Sequence, residues 1–534
     1  MNLRDSIRAF SLSAALTAAV GIAPGSFAQG TGSYAAFSLE REENWTPLIT
    51  EDMNGDGLLD LVYADYDATL GRQLLIHYQN ASGDFPSSPQ VIEIKSEIIA
   101  IGFGDLREEL GTELILHAAN GVFSLSPSIE GYSGNLQPIM RFDSIATIAS
   151  RKQVEFLPPL EDRSGDSILD LLLPTEKGFA FFKGSRSGEF KPAGSIETVN
   201  ADLLRARRND RGAGLDTNLG INATEGIVVK VAVERRNPFD EFVKTWSVQT
   251  EEVDLVNSSN WIPNTVFADI NGDALLDLVF INLDSDANPQ LNVALQEEEG
   301  FVPSPSWVTS MDAGGEISLA DFNGDGRSDL LRLSGSGDDW EARFYLSKKA
   351  DSPFDMSAPD QVMRFSGYDV RLNAVPLSTG AIALSVSYYT LPIIDAIRSA
   401  SINRTQLLYA PLTSAPGETG STAESALFAR RPSSQLIESF SAANVRGLSE
   451  QMSLAFDIDG DGANDALYIT ERGTLAAKRV DDSLSIETDP FWEYVSDKTV
   501  FEFDVLSLNN DSTPDLILRH GNSITVLVSR GGSR

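Results

Sequence analysis

The chain has 534 residues, 42% of them hydrophobic and 22% charged, with a formal net charge of −36 and no cysteine. Such a length and apolar share can bury a real core, which excludes wholesale disorder. The acidic balance disfavours nucleic acid and anionic lipid as broad partners. The absence of cysteine excludes disulfides, thiolate zinc sites, iron–sulfur clusters and a lipid-modified N-terminal cysteine.

The first predicted element is a secretory signal at 1–28. Arg4 and Arg8 give a positive start, residues 10–22 form a short apolar run, and SFA at 26–28 precedes Gln29. Cleavage near Ala28–Gln29 would leave a secreted or periplasmic protein, with 29–534 as a single domain. No later segment approaches 18 consecutive apolar residues, so no transmembrane segment is expected. The next element, SYAAFSLER at 33–41, has the alternation of a strand and stands ahead of everything that repeats.

The repeat begins at 51–65, EDMNGDGLLDLVYAD. Asp52, Asn54, Asp56 and Asp60 take positions 1, 3, 5 and 9 of a glycine-containing loop that runs into a β-prone stretch. The same four positions hold Asp162, Ser164, Asp166 and Asp170, then Asp269, Asn271, Asp273 and Asp277, then Asp321, Asn323, Asp325 and Asp329. They recur as Asp457, Asp459, Asp461 and Asp465, and near the end as Ser507, Asn509, Asp511 and Asp515. A seventh copy keeps Asp105 but carries Arg107, Glu109 and Glu113. First positions at 52, 105, 162, 269, 321, 457 and 507 give a period near 53 with two open slots. One slot holds Asp216 and Asn218 as a worn copy; the other, near 372–389, keeps only the rhythm of strands.

Each copy has an apolar lead-in (WTPLITED), the loop, a second strand (LDLVYAD) and a third (RQLLIHYQN), with turn residues between. About four short strands per 50-residue unit, repeated many times, predict an all-β propeller of four-stranded antiparallel blades. Seven to nine blades are expected, eight being the central count. The last copy supplies about three strands, so the strand at 33–41 is expected to complete the last blade and remove its free edge.

The loop chemistry suits calcium, which takes six to eight hard oxygen ligands at about 2.3–2.6 Å. Positions 1, 3 and 5 turn side-chain oxygens inward, position 7 offers a backbone carbonyl (Leu58 in the first copy), and an aspartate at position 9 closes the set. Asp, Asn and Gly are also common turn residues, so one such loop alone would decide nothing. Six of them pack carboxylates within about 5 Å, where each pair repels by roughly 1–3 kcal/mol, a cost that turn formation alone does not require. Glycine at position 6 (Gly57, Gly326, Gly462) permits the sharp turn, whereas Ser167 and Ala274 there predict mild strain. In the seventh copy Arg107 is expected to replace an ion by a salt bridge.

The recurring D-x-[ND]-G-D-G-x-x-D followed by apolar strand residues resembles the FG-GAP and VCBS repeats of integrin α-chain-type propellers and many bacterial secreted proteins. The resemblance covers nearly the whole chain after residue 28. It implies calcium held between the first two strands of each blade, at the residues named above in the six full loops. It does not imply one activity.

Other candidates are few. His77, His117 and His520 fall in or after strand runs and read as satisfied core histidines. No nucleophile elbow, zincin motif or phosphate loop occurs. Two segments interrupt the repeat: the arginine-rich ADLLRARRNDRG at 201–212 and an expected insertion around 390–449 that includes Arg430 and Arg431. The expected function is a secreted calcium-binding module for adhesion to, or interaction with, an extracellular protein or glycan. The alternatives are a calcium-dependent polysaccharide-active enzyme of lyase type and a structural or assembly factor of the cell envelope.

Overall fold

Branched and aromatic residues at period two form strands because their side chains then alternate between two buried faces. In the computed structural model these strands build eight blades. The described residues are 34–40, 47–142, 154–197, 219–231, 265–391, 401–412, 427–441 and 452–530, apart from short gaps within these spans. The expected signal at 1–28, Asp216 and Asn218, and the arginine-rich 201–212 lie outside them.

The first blade is typical: Leu48–Glu51, Asp60–Asp67, Gly71–His77 and Gln90–Glu93 pair in sequence order, all antiparallel. Its second strand is buried along both faces. Leu61 and Tyr63 pack toward the eighth blade, whereas Val62 packs toward the second. Repeated around the molecule, this alternation yields eight hydrophobic clusters, one between each pair of neighbouring blades. The ring is closed as expected from the sequence. Tyr34–Glu40 is the outer strand of the eighth blade, antiparallel to Ser523–Ser529, with Tyr34 opposite Ser529 and Glu40 opposite Ser523.

The two open slots differ in kind. The acid-free one is a full sixth blade, formed by Tyr368–Pro376, Ile382–Thr390, Ser401–Tyr409 and Ser434–Ser441. Two of its strands come from the span 390–449 that reads as an insertion. The other slot lies around Asp216. Only a two-stranded sheet, Leu219–Ala223 with Ile227–Val231, is described there. The third and fourth blades meet directly through Phe181 and Ile196 against Leu278, Phe280 and Phe301. Their outer parts are stitched by backbone bonds from Phe301 N to Ala193 O (3.0 Å) and Glu197 N to Pro303 O (2.9 Å). Gly194 and Gly300 permit this seam, since a Cβ on Gly194 would lie 2.0 Å from Phe301 O.

The third blade departs once more. Among the described residues its first strand is Glu155–Phe156, which pairs in parallel with the innermost strand of the second blade. Pro158 and Pro159 follow in the sequence, and proline offers no N–H to a ladder.

Candidate metal centres

Each acid loop joins the first and second strands of its blade, and local hydrogen bonds set its shape. At position 1, Asp52 accepts the N–H of Gly55 (2.7 Å) through one oxygen and that of Gly57 (2.8 Å) through the other. Asp162, Asp269, Asp321 and Asp457 do the same for their own loops. At position 3, Asn54 Oδ1 accepts the N–H of Asp56 at 2.9 Å, and at position 5, Asp56 Oδ1 accepts that of Leu58 at 2.9 Å. Asn271 with Asp273, and Asn323 with Asp325, repeat this pair. Folding a chain round one carboxylate in this way requires positive φ at position 6. Gly57, Gly326 and Gly462 adopt it freely at 85°, 83° and 93°. Ser167 and Ala274 are held at 65° and 68°, the strain expected from their side chains.

Position 9 does something the sequence does not announce. Asp60 is fully buried, with Oδ2 accepting the N–H of Met53 (2.9 Å) and Oδ1 that of Gln79 just past the third strand (2.8 Å). Asp277, Asp329 and Asp515 clamp the loop to the third strand in the same manner, and Asp170 does so through Arg163, Ser164 and Gly184. Asp465 accepts Ile458 N at 2.8 Å. Burial, reinforced by the carboxylates at positions 1 and 5 and at Asp465 foremost by Asp459, pushes Asp60, Asp329 and Asp465 up to about 7 and Asp277 up to about 6. The only sequence signal for this role is that the ninth acid opens an apolar run.

Neighbouring loops also touch, so they share one face of the ring. Thr112 N of the second blade donates to Asp52 O of the first at 2.8 Å, Ser328 N of the fifth to Asp269 O of the fourth at 2.7 Å, and Leu59 N of the first to Leu508 O of the eighth at 2.8 Å. The approach is close enough that a Cβ on Gly111 would stand 2.4 Å from Met53 O.

The loops are unequal as cation sites. Among the described residues, one group brings three carboxylate oxygens within 4.8 Å of one another: Asp457, Asp459 and Asp465. This hard-oxygen set fits a calcium-type ion. Arg479 flanks it, its Nη2 lying 2.7 Å from Asp459 Oδ2. In the fifth blade the Arg327 guanidinium pairs with Asp325. In the eighth, Ser507 Oγ donates to Asn509 O (2.7 Å) and Asn509 Nδ2 to Ser529 O (2.9 Å), so position 1 offers no carboxylate. In the second, Arg107 does not make the expected salt bridge within its loop. Its Nε donates to Ser124 Oγ (2.9 Å) and its Nη groups to Ser124 O and to both oxygens of Asn135. Glu113 still accepts Leu106 N (2.8 Å), the bond of a ninth-position acid.

His77 and His520 are core groups, and His117 is partly buried. His77 is buried, with Nδ1 3.1 Å from Pro86 O, and His520 lies between Thr499 O (3.0 Å) and Thr525 Oγ1 (2.9 Å). Burial lowers both and pushes His117 down to about 4. Arg430 and Arg431 are exposed.

Residues 269–332, which carry the loops headed by Asp269 and Asp321, match the model of an FG-GAP-like repeat. The chain is a β-propeller, and an FG-GAP-like repeat lies within it. No curated protein matches this propeller in sequence. Among solved structures it is similar to an Agrocybe aegerita lectin described for specific recognition of non-reducing terminal N-acetylglucosamine. That match has 10% identity over 92% of this chain and 96% of the other, with a TM-score of 0.36. It is also similar to the WD40 domain of SCAP from fission yeast, at 7% identity over 93% and 99% of the two chains and a TM-score of 0.36. Among the described residues no helix is long and apolar enough to cross a membrane.

Proposed function

We propose that this FG-GAP propeller is an exported binding or adhesion module for an extracellular protein or glycan, stabilised by calcium in its blade loops. The observation that carries the reading is the linked row of acid loops on one face of a closed ring. Backbone bonds run from loop to loop, so an ion that stiffens one loop would stiffen the neighbouring face. Asp457, Asp459 and Asp465 are the first site to fill. The sets at Asp52, Asn54, Asp56 and Asp60, at Asp269, Asn271, Asp273 and Asp277, and at Asp321, Asn323, Asp325 and Asp329 follow. Bound calcium supplies positive charge, which would lower the raised ninth acids of these loops. Export follows from the residues at 1–28, with Gln29 as the expected first residue of the mature protein.

The test is a binding screen of the full propeller against glycans and extracellular proteins, run with calcium and with a chelator. A partner retained with calcium and released by the chelator is the expected result. Turnover of a polyanionic sugar, without stable retention, would overturn the binding-module reading in favour of an enzyme.

A further inference from the structure

The fifth blade carries a second kind of site on its flank, and no acid-loop residue lines it. Its third strand, Asp339–Tyr345, alternates: Ala342 and Phe344 pack toward the sixth blade, so Glu341 and Arg343 point the other way. Register with the outer strand, Gln361–Ser366, sets Arg364 opposite Glu341 and Val362 opposite Arg343. These four side chains, with Met356, Ser357 and Pro359 from the connecting loop, line a cavity of about 500 Å³. That volume falls within the range of small-molecule sites.

Glu341 fixes both cations. Its Oε1 accepts Arg343 Nε at 2.7 Å and its Oε2 accepts Arg364 Nε at 2.9 Å. With both carboxylate oxygens engaged, the patch keeps a net positive charge in a chain of net charge −36. Among the described residues neither Nη of Arg364 has a hydrogen-bond partner, and the side chain is 76% exposed. Val362, 45% exposed, adds an apolar wall beside the guanidiniums, as do Met356 and Pro359. Ser357 Oγ is turned to Asp355 Oδ1 at 2.6 Å and offers the cavity little as a donor.

A planar guanidinium anchored through Nε presents its Nη edge to one oxyanion. The acidity of the whole surface opposes a polyanion far more than a singly charged molecule. We propose that this cleft binds a small ligand with one carboxylate and an apolar portion. The carboxylate takes the Nη groups of Arg364 beside Arg343, and the apolar portion lies on Met356, Pro359 and Val362. This assignment does not depend on the binding face or the calcium proposed above.

The test uses the full chain with benzoate as probe, benzyl alcohol as its neutral counterpart and inorganic sulfate as a bare oxyanion, read by saturation-transfer NMR and calorimetry in chelator. Benzoate binds and benzyl alcohol does not. Arg364→Gln weakens binding by about tenfold or more, as expected for one lost charge-assisted hydrogen bond, and Val362→Asp weakens it by placing a negative charge on the apolar wall. Both positions are exposed, and an unchanged melting temperature shows that the variants fold. No benzoate binding, equal binding of benzyl alcohol, sulfate as tight as benzoate, or an unaffected Arg364→Gln variant would each overturn the proposal.

Discussion

The loops of the second and seventh blades occupy equivalent places and share one bond, yet differ in everything a cation would meet. Glu113 and Asp465 are both buried, and each accepts the second-position N–H at 2.8 Å. Around Asp465, Asp457 and Asp459 converge within 4.8 Å, whereas in the second blade Arg107 takes the third position and turns away to Ser124 and Asn135. The motif therefore joins two separable parts. The ninth acid belongs to the fold, and the acids at positions 1, 3 and 5 can be lost while the blade remains. The sixth blade goes further, keeping three strands of nine residues with no acid loop at all.

The largest effect should strike both loops alike. In chelator, Glu113→Ala and Asp465→Ala each leave a buried N–H without its acceptor and should lower unfolding free energy by about 1–3 kcal/mol. Denaturant melts check this, and a loss confined to Asp465→Ala would break the equivalence. The next separates the loops: Asp457→Ala with Asp461→Ala should weaken calcium binding by about tenfold or more at one site, because affinity follows ligand charge count. Asp105→Ala with Glu109→Ala should leave a calorimetric titration unchanged, and equal losses would contradict the division.

Acid should then weigh on the second blade more than on the seventh. His117, on its second strand, has a folded pKa near 4, below the ordinary 6.5, so its contribution is complete above about pH 6.5 and lost as pH falls through 4. The seventh blade has Ile469 at the corresponding place. Melting temperature should drop over that window and drop less in His117→Gln, and parallel curves would remove His117 from the account. The smallest effects concern position 6. Ser167→Gly and Ala274→Gly should each gain about 0.5–1 kcal/mol by relieving positive φ, while Gly462→Ala should lose a similar amount. Unchanged melts would mean that these turns relax at no cost.

Much of this was legible in the sequence. The repeat placed the loops, the period-two strands gave the blades, and the stretch at 33–41 announced ring closure. Loop residues are a poorer guide to blades than packing faces. Asp216 and Asn218 suggested a worn copy and lie outside the described residues, while Phe181 and Phe280 bring the third and fourth blades into direct contact. The acid-free stretch at 372–389 had such faces and is a blade. The burial of the ninth acid was hidden because a ligand and a backbone acceptor share one residue type, and only the end of the third strand, far away in sequence, distinguishes them.

The central claim is that the outer acids form calcium clamps on a ring that the ninth acids already hold together. Thermal melting of the full chain in chelator and in excess calcium tests it most directly. The account predicts a cooperative, folded β-protein in both, with a melting temperature markedly higher in calcium. Identical melting temperatures would contradict the clamps, and a chain unfolded in chelator would contradict the self-sufficient ring.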